Sequence, residues 1–218
     1  MSRLVCTPDE VMLALGQHTP KFVPALPGRT NHLQSAVVIP LYWGEELEAV
    51  ATLRPMHLGH HGGEVCFPGG KPEEGDETLQ ATGLRELWEE LGMRPSKVLG
   101  RLSSIPLYTS DFRITPFVIA VEEKRIRVNR DEVDRELWFS MDAIFQQPVI
   151  DGFEVTIGQT SKLSPVFVVD GAIMFGATAY ALLELLEVLG RLTGRVVPPM
   201  ALTEYRWDSH RKRPVPLA

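Results

Sequence analysis

Cysteine is almost missing from this chain: among 218 residues only Cys6 and Cys66 carry a thiol, and neither belongs to a CxxC or Cys/His spacing. That excludes a disulfide-stapled secreted scaffold and a structural zinc site, and both residues read as free thiols of a reducing compartment. Positive charge is also short. Twenty-two Lys and Arg stand against 28 Asp and Glu, a formal net charge of −6, which argues against nonspecific binding to nucleic acid or anionic membranes. No apolar run is long enough to cross a bilayer. The most apolar late stretch, residues 172–189, is broken by Glu184 and Glu187, and nothing near Met1 has the basic-then-apolar form of a secretory signal. A cytoplasmic protein is the expectation. What remains is an ordinary globular composition, 44% hydrophobic and 23% charged, with length enough for one well-filled core.

Local patterns divide the chain into an N-terminal helix and connector (1–34), a central domain (35–195) and a C-terminal tail (196–218). Thr7-Pro8-Asp9-Glu10 is a helix start with a capping residue, a first-turn proline and a capping-box glutamate, and that helix should stop near Gly16. Pro20, Pro24, Pro27 and Gly28 mark a surface connector. Residues 35–42 and 47–54 read as strands joined by a turn at Trp43-Gly44-Glu45, and residues 97–102 and 112–121 as two more. An acidic turn at 130–134 leads into a further strand, and a short helix follows near 140–145. Strand pairs are expected around 152–157 and 165–169, with a turn signal at Asp170-Gly171. Leu182, Leu183, Leu186 and Leu189 form the apolar stripe of a last helix. The tail, with Arg211-Lys212-Arg213, is either free or a contact to a second copy in a homodimer.

Chemistry concentrates in residues 67–93, FPGGKPEEGDETLQATGLRELWEELGM, where a Gly-rich loop runs into a short helix. At 100° per residue Glu86, Glu89 and Glu90 share one face, while Ala81, Leu84, Leu87, Trp88 and Leu91 lie opposite, toward a core. Crowded carboxylates repel one another and call for a positive partner. Mg²⁺ suits them, because it takes oxygen ligands and completes its octahedron with waters and substrate phosphates. A solvated acidic face is the competing reading. Upstream, His57, His60 and His61 have no carboxylate at a defined spacing, so substrate contact or loop structure is preferred to metal ligation.

The order of residues in this stretch resembles the signature of the Nudix hydrolases: Gly, five residues, Glu, seven residues, then Arg-Glu-apolar-x-Glu-Glu-x-Gly-apolar. Residues 85–93 match at every defined position and Glu77 stands seven residues before Arg85, but six residues rather than five separate Gly70 from Glu77. That longer loop, with Asp76 in it, is similar to the coenzyme A diphosphatase branch. So are Arg54 and His60 or His61 before FPGG, the run Thr109, Phe112, Thr115, Pro116 and Phe117, and the Gly176, Thr178, Ala179 entry to the last helix. Three positions depart from that branch: Pro55 replaces a small polar residue, Gly59 an arginine and Asp111 a glycine.

The resemblance implies an α/β fold, an α/β/α sandwich with a mixed β-sheet, and hydrolysis of a phosphoric anhydride with Mg²⁺ or Mn²⁺. It implies Glu86 and Glu90 as principal metal ligands, with Glu89 and the Gly70 carbonyl completing the site. One of Glu86, Glu90 or a loop acid (Glu132, with Glu136 as the other choice) would take the proton from water. Arg85 would orient the site through Glu77, Asp76 or Glu89, with Gly69 supporting the loop, and Arg54, His60, His61, Thr109 and Phe112 would meet substrate. The expected reaction is cleavage of coenzyme A or acyl-coenzyme A to 4′-phosphopantetheine and adenosine 3′,5′-bisphosphate. A diphosphatase for ADP-ribose, dinucleotides or nucleoside triphosphates is the alternative, and a silent nucleotide-binding module is a second. The expected partner is thus a small nucleotide, with neither nucleic acid nor membrane.

Overall fold

A computed structural model describes residues 3–58, 61–157, 160–202, 204–208 and 213–216. Its centre is a mixed sheet in which Leu33–Trp43 (β1) pairs antiparallel with Leu47–Leu53 (β2) and parallel with Phe112–Val121 (β7). Short strands Val65–Cys66 (β3) and Gly69–Gly70 (β4) pair with β2 and β1, Lys97–Arg101 (β5) and Ile105–Pro106 (β6) with β7, and Arg135–Ser140 (β8) with β2. The fold class is the expected one. Alternation along each central strand shows why both faces must be covered. Ala36 and Val38 of β1, Val50 of β2 and Phe117, Ile119 and Val121 of β7 pack with Leu87 and Leu91 of the helix Leu79–Leu91 (α2). Their neighbours Ile39, Leu41, Ala49, Ala51, Val118 and Ala120 face the other way, into a core shared with Pro8–Gln17 (α1), Met141–Phe145 (α3) and Gly176–Thr193 (α4).

The helix ends follow the sequence signals. Thr7 and Glu10 form the capping box of α1, and Thr78 caps α2 by accepting from the Ala81 N–H. Gly92 closes α2 in the left-handed region, φ 64°. The chain beyond α4's approach is richer in strands than expected. Ile150–Ile157 (β9), Thr160–Val169 (β10), Ala172–Met174 (β11) and Met200–Leu202 (β12) form a second sheet, with β12 parallel to β9. Tyr205–Asp208 (β13) and Arg213–Pro216 (β14) make a hairpin whose Trp207 stacks on Phe153, with ring centroids 5.5 Å apart. So the described residues of the stretch expected to be free or to contact a second copy pack on the fold, Met200–Leu202 against β9 and Tyr205 and Trp207 against Phe153. Among the described residues no helix is long and apolar enough to cross a membrane.

The connector before β1 runs along the surface, as expected, but is tied down at its end. Asn31 is 3% exposed, and its amide donates to the carbonyls of Leu107, Ser110 and Phe112 at 3.0–3.1 Å while its oxygen accepts from the Leu26 N–H. Asp111, the residue that departs from glycine, accepts from the Thr30 N–H at 2.8 Å, and those backbone bonds hold its carboxyl below the usual carboxylate range. Connector and loop 107–112 are therefore one rigid rim.

Close approach of α2 to the sheet gives a stability prediction. Gly83 faces β1, where an added Cβ would lie 2.9 Å from Val38 Cγ1, whereas Gly16 in α1 has open space around it. Gly83→Val should cost about 1–3 kcal/mol by overpacking, and Gly16→Ala should gain about 0.5–1 kcal/mol from helix propensity. Urea denaturation of both variants checks the opposite signs.

Candidate active site

Two glycines decide the geometry of the site. A Cβ on Gly69 would meet the Ala36 carbonyl oxygen at 2.2 Å, and one on Gly70 would meet Glu86 Oε1 at 2.1 Å. Only because position 70 has no side chain can the Glu86 carboxylate fold against the loop backbone. Glu90, one turn further along α2, is 4% exposed and accepts from the Gly69 N–H at 3.2 Å. Glu86, Glu90 and the 69–70 backbone thus converge on one point between loop and helix.

The carboxylates at this point are electrostatically uncomfortable. Burial, with the nearby Glu86 charge, pushes Glu90 up to about 8, against the opposing effects of the Gly69 N–H and Arg54. Glu86 is raised too, first by burial, with Glu89 and Glu132 adding like charge and Arg85 opposing. Glu132 acts on both because the segment carrying it is pinned to the end of α2: Arg127 N–H donates to the Leu91 carbonyl at 2.8 Å and Asn129 N–H to the Glu90 carbonyl at 2.9 Å. Glu136, the other choice of loop acid, lies within β8 opposite Thr52.

Hard oxygen donors from Glu86, Glu90 and the Gly70 carbonyl fit a divalent cation such as Mg²⁺ or Mn²⁺, whose charge would offset the repulsion between the carboxylates and favour their ionised form despite burial. No three His, Cys, Asp or Glu side chains among the described residues form a ready-made metal cage. Glu89 is the reason the full carboxylate trio is not assembled. It is 45% exposed in its side chain and bound to Arg85 Nη1 at 2.8 Å, away from the buried pair. Two carboxylates still suffice for Mg²⁺, which commonly takes one or two from the protein and the rest from water and phosphate.

Arg85 fastens the loop to the helix. Its Nε and Nη2 donate to Asp76 at 3.2 and 3.1 Å, Nη2 also donates to the Lys71 carbonyl at 2.9 Å, and Nη2 lies 3.1 Å from Glu86 Oε1. Glu77, expected in this role, is exposed and has no ion pair among the described residues. The reason is the turn at 73–76: Glu73 N–H donates to Asp76 Oδ2 and Asp76 N–H to the Glu73 carbonyl, which turns Asp76 inward and Glu77 outward.

Trp88 was expected in the core and lies outside it, 42% exposed, with the guanidinium of Arg94 4.5 Å from its ring centroid. The helical wheel puts it beside Leu84, but the inner face of α2 is taken by buried Thr82, Gly83, Leu87 and Leu91.

The expected substrate contacts are unequally placed. Arg54, whose buried Nε has no hydrogen-bond partner among the described residues, is near enough to Glu90 to offset its raised value. Phe112 begins β7 with Lys71 Nζ 4.9 Å from its ring centroid, which puts it on the rim beside Gly70. Thr109 is exposed, with no hydrogen bond to the site. His61 has φ 59° and pairs through Nδ1 with Glu64 at 2.8 Å, while His60 is outside the described residues. Sequence reasoning missed Lys71 and Asn31. Lys71 was legible as the residue after the two glycines; Asn31 was not, since its partner carbonyls lie some 80 positions away.

Comparison with known proteins gives one consistent answer. Residues 32–155, more than half of the chain, match the NUDIX domain. "Nudix hydrolase 3" of Caenorhabditis elegans is 35% identical over 126 residues, 55% of this chain and 52% of that protein. "Uncharacterized Nudix hydrolase NudL" of Escherichia coli is 34% identical over 122 residues, 55% of this chain and 59% of that one. The chain therefore spans little more than half the length of these curated relatives. Among solved structures, the NUDIX domain of Shewanella oneidensis NrtR complexed with ADP ribose is 19% identical with a TM-score of 0.45, covering 62% of this chain and 86% of that one. The MutT protein from Methanosarcina mazei Go1 is 21% identical with a TM-score of 0.41, covering 58% and 86%. With its sheet, catalytic-type helix and matched residues in agreement, the chain belongs to the NUDIX domain family.

Proposed function

We propose that this protein hydrolyses the phosphoric anhydride of a nucleoside diphosphate derivative, with coenzyme A or an acyl-coenzyme A as substrate and 4′-phosphopantetheine and adenosine 3′,5′-bisphosphate as products. The observation that carries the hydrolytic reading is the convergence of Glu86 and buried Glu90 on the Gly69–Gly70 backbone. When bound there, Mg²⁺ or Mn²⁺ supplies charge neutralisation for the diphosphate and acidifies a water.

The chain's own residues do the rest. Glu86, Glu90 and the Gly70 carbonyl hold the cation. Glu132 is exposed on the turn beside them and is free to accept the proton of the attacking water. Arg85 does not touch substrate; it keeps Glu86 in place by tying the 71–76 loop to α2. Arg54 presents a buried guanidinium edge to the phosphates, and Phe112 with Lys71 supplies a flat, positively charged rim for a base and its phosphates. Coenzyme A is favoured over other diphosphates by the flanking residues, Arg54, His61, Phe112, Thr115 and the Gly176-x-Thr178 helix entry. Replacement of the branch's second arginine by Gly59 is the feature that favours ADP-ribose, dinucleotides or nucleoside triphosphates instead.

A hydrolysis panel with Mg²⁺ or Mn²⁺ over coenzyme A, acyl derivatives, ADP-ribose, NADH and nucleotides, with products identified by mass, tests both levels. Coenzyme A should give the two named products; turnover of ADP-ribose alone removes the substrate and keeps the chemistry, and no turnover at all removes both. Glu90→Gln should lose at least about a hundredfold in turnover with an unchanged circular dichroism spectrum. Added Mn²⁺ should raise the melting temperature of the wild type and leave the double variant Glu86→Gln/Glu90→Gln unmoved.

Proton linkage tests the Arg85 strut. Its hydrogen bonds to Arg85, and then to the Glu73 N–H, lower Asp76 to about 2. A depressed carboxyl contributes stability that is full above its unfolded value and is lost as pH falls through the folded one. The stability gap between wild type and Asp76→Ala should thus be constant from neutral pH down to the ordinary carboxylate range, then close toward pH 2. Urea denaturation across that pH range measures it, and a gap that instead closes near neutrality contradicts the strut.

A further inference from the structure

Away from the Glu86–Glu90 pair, the end of α2 and the segments after it border an open surface cleft of about 760 Å³, lined by Trp88, Gly92, Met93, Arg94, Ser96 and Arg125, with Glu122 and Glu123 also on its wall. Its base is the exposed indole of Trp88. Arg94 lies over that ring at 4.5 Å and Arg127 at 5.7 Å from the centroid. Arg94, Arg125 and Arg127 are all exposed, and none of the three has an acidic side chain within ion-pair distance among the described residues. In a chain of net charge −6, two unpaired guanidiniums over one aromatic ring, with that of Arg125 on the same cleft, are an unusual concentration.

Arginines at the carboxyl end of a helix can serve simply to offset its dipole. That role does not require an exposed tryptophan beneath them, nor a cleft, and the carbonyls of Glu90 and Leu91 are already taken by the Asn129 and Arg127 N–H groups. Stacking on an indole does something else: it holds a guanidinium by its face and leaves the donor-bearing edge directed outward, a prepared fork for phosphate oxygens.

We infer that this cleft is a second, non-catalytic site for a phosphorylated nucleoside. The phosphate would lie between the Arg94 and Arg125 forks, with Arg127 adding positive charge from the far side of the Trp88 ring. Glu122 and Glu123 decide what else the ligand must carry. Two carboxylates on the same wall repel a uniform polyanion such as a nucleic-acid backbone or an acidic peptide. They accept hydrogen bonds from ribose hydroxyls or an exocyclic amine, so a small ligand with a phosphate at one end and donors at the other satisfies both halves of the cleft. The volume is that of a mononucleotide-sized ligand rather than of an inorganic ion. The inference does not depend on the catalytic reading, since no residue of the Glu86–Glu90 face is used.

AMP is the probe, because it has no anhydride bond to be cleaved. Titrated calorimetrically into the full chain in excess EDTA, it should bind saturably and change tryptophan emission. The variant Arg94→Ala/Arg127→Ala, with melting temperature and circular dichroism preserved, should bind AMP at least about tenfold more weakly while its turnover in Mg²⁺ stays that of the wild type. Trp88→Phe should lose the emission change. Binding of AMP that is undiminished in the double arginine variant overturns the site, as does no binding at millimolar AMP. Inorganic phosphate competing as tightly as AMP, or a single-stranded oligonucleotide binding more tightly, overturns the nucleotide assignment.

Discussion

The absence of a side chain at position 70 governs this structure more than any attractive contact. Strand β4 runs so close to β1 that Gly69 abuts the Ala36 carbonyl, and α2 comes down so close on β4 that a Glu86 oxygen occupies the volume of a Cβ at residue 70. That double approach fixes loop, strand and helix to within hydrogen-bonding distance of one another. It also explains why a glutamate can be buried at position 90. The Gly69 N–H faces it at 3.2 Å, so part of the desolvation cost is met by a backbone donor that only a glycine's close packing brings within reach.

Around that constraint, charges on α2 are sorted by direction. Toward the loop point Glu86 and Glu90; toward solvent, Arg85 draws Glu89 and Asp76 to itself. If Arg85 were turned inward, it would neutralise the buried pair and compete with a cation. Its bonds to Asp76 and the Lys71 carbonyl hold it at the edge of the site, where it restrains Glu86 at 3.1 Å without filling the space between the carboxylates. The partnership is one of positioning, and it makes loop residues 71–76 part of the site through the Asp76 carboxylate and the Lys71 carbonyl.

How much of this was legible in the sequence depended on the range of the interaction. The capped start of α1 at Thr7 and the strands β1, β2 and β7 follow from local pattern, because capping and period-2 burial act over a few residues. The trio Glu86, Glu89 and Glu90 was visible as a face, but a helical wheel carries no information on where the supporting sheet ends. Hence Trp88 was placed in the core and Glu89 beside the pair. Spacing alone left Glu77 and Asp76 both open as partners of Arg85, because it cannot register the tight turn that decides which acid faces the helix. The connector's role was invisible for a different reason: Asn31 and Thr30 find their partners on the 107–112 loop, and one sequence holds no record of such pairings. Short strands β12 to β14 were missed as well: β12 pairs with β9, some 50 positions upstream, and the β13–β14 hairpin rests on Phe153 through Trp207.

One segment joins the two faces of α2. From Arg127 to Asn129 the chain donates successively to the carbonyls of Leu91 and Glu90, and three residues later it presents Glu132 to the carboxylate pair. Arg127 itself faces the other way, over Trp88. A displacement of this segment by even one hydrogen bond would change the distance of Glu132 from Glu86 and Glu90 and, in the same movement, the spacing of the guanidiniums behind the helix. The backbone bonds to α2 set both. Trp88 and the Glu86–Glu90 pair thus flank one short piece of chain, held to α2's last turn, itself closed by Gly92, through two external N–H donors.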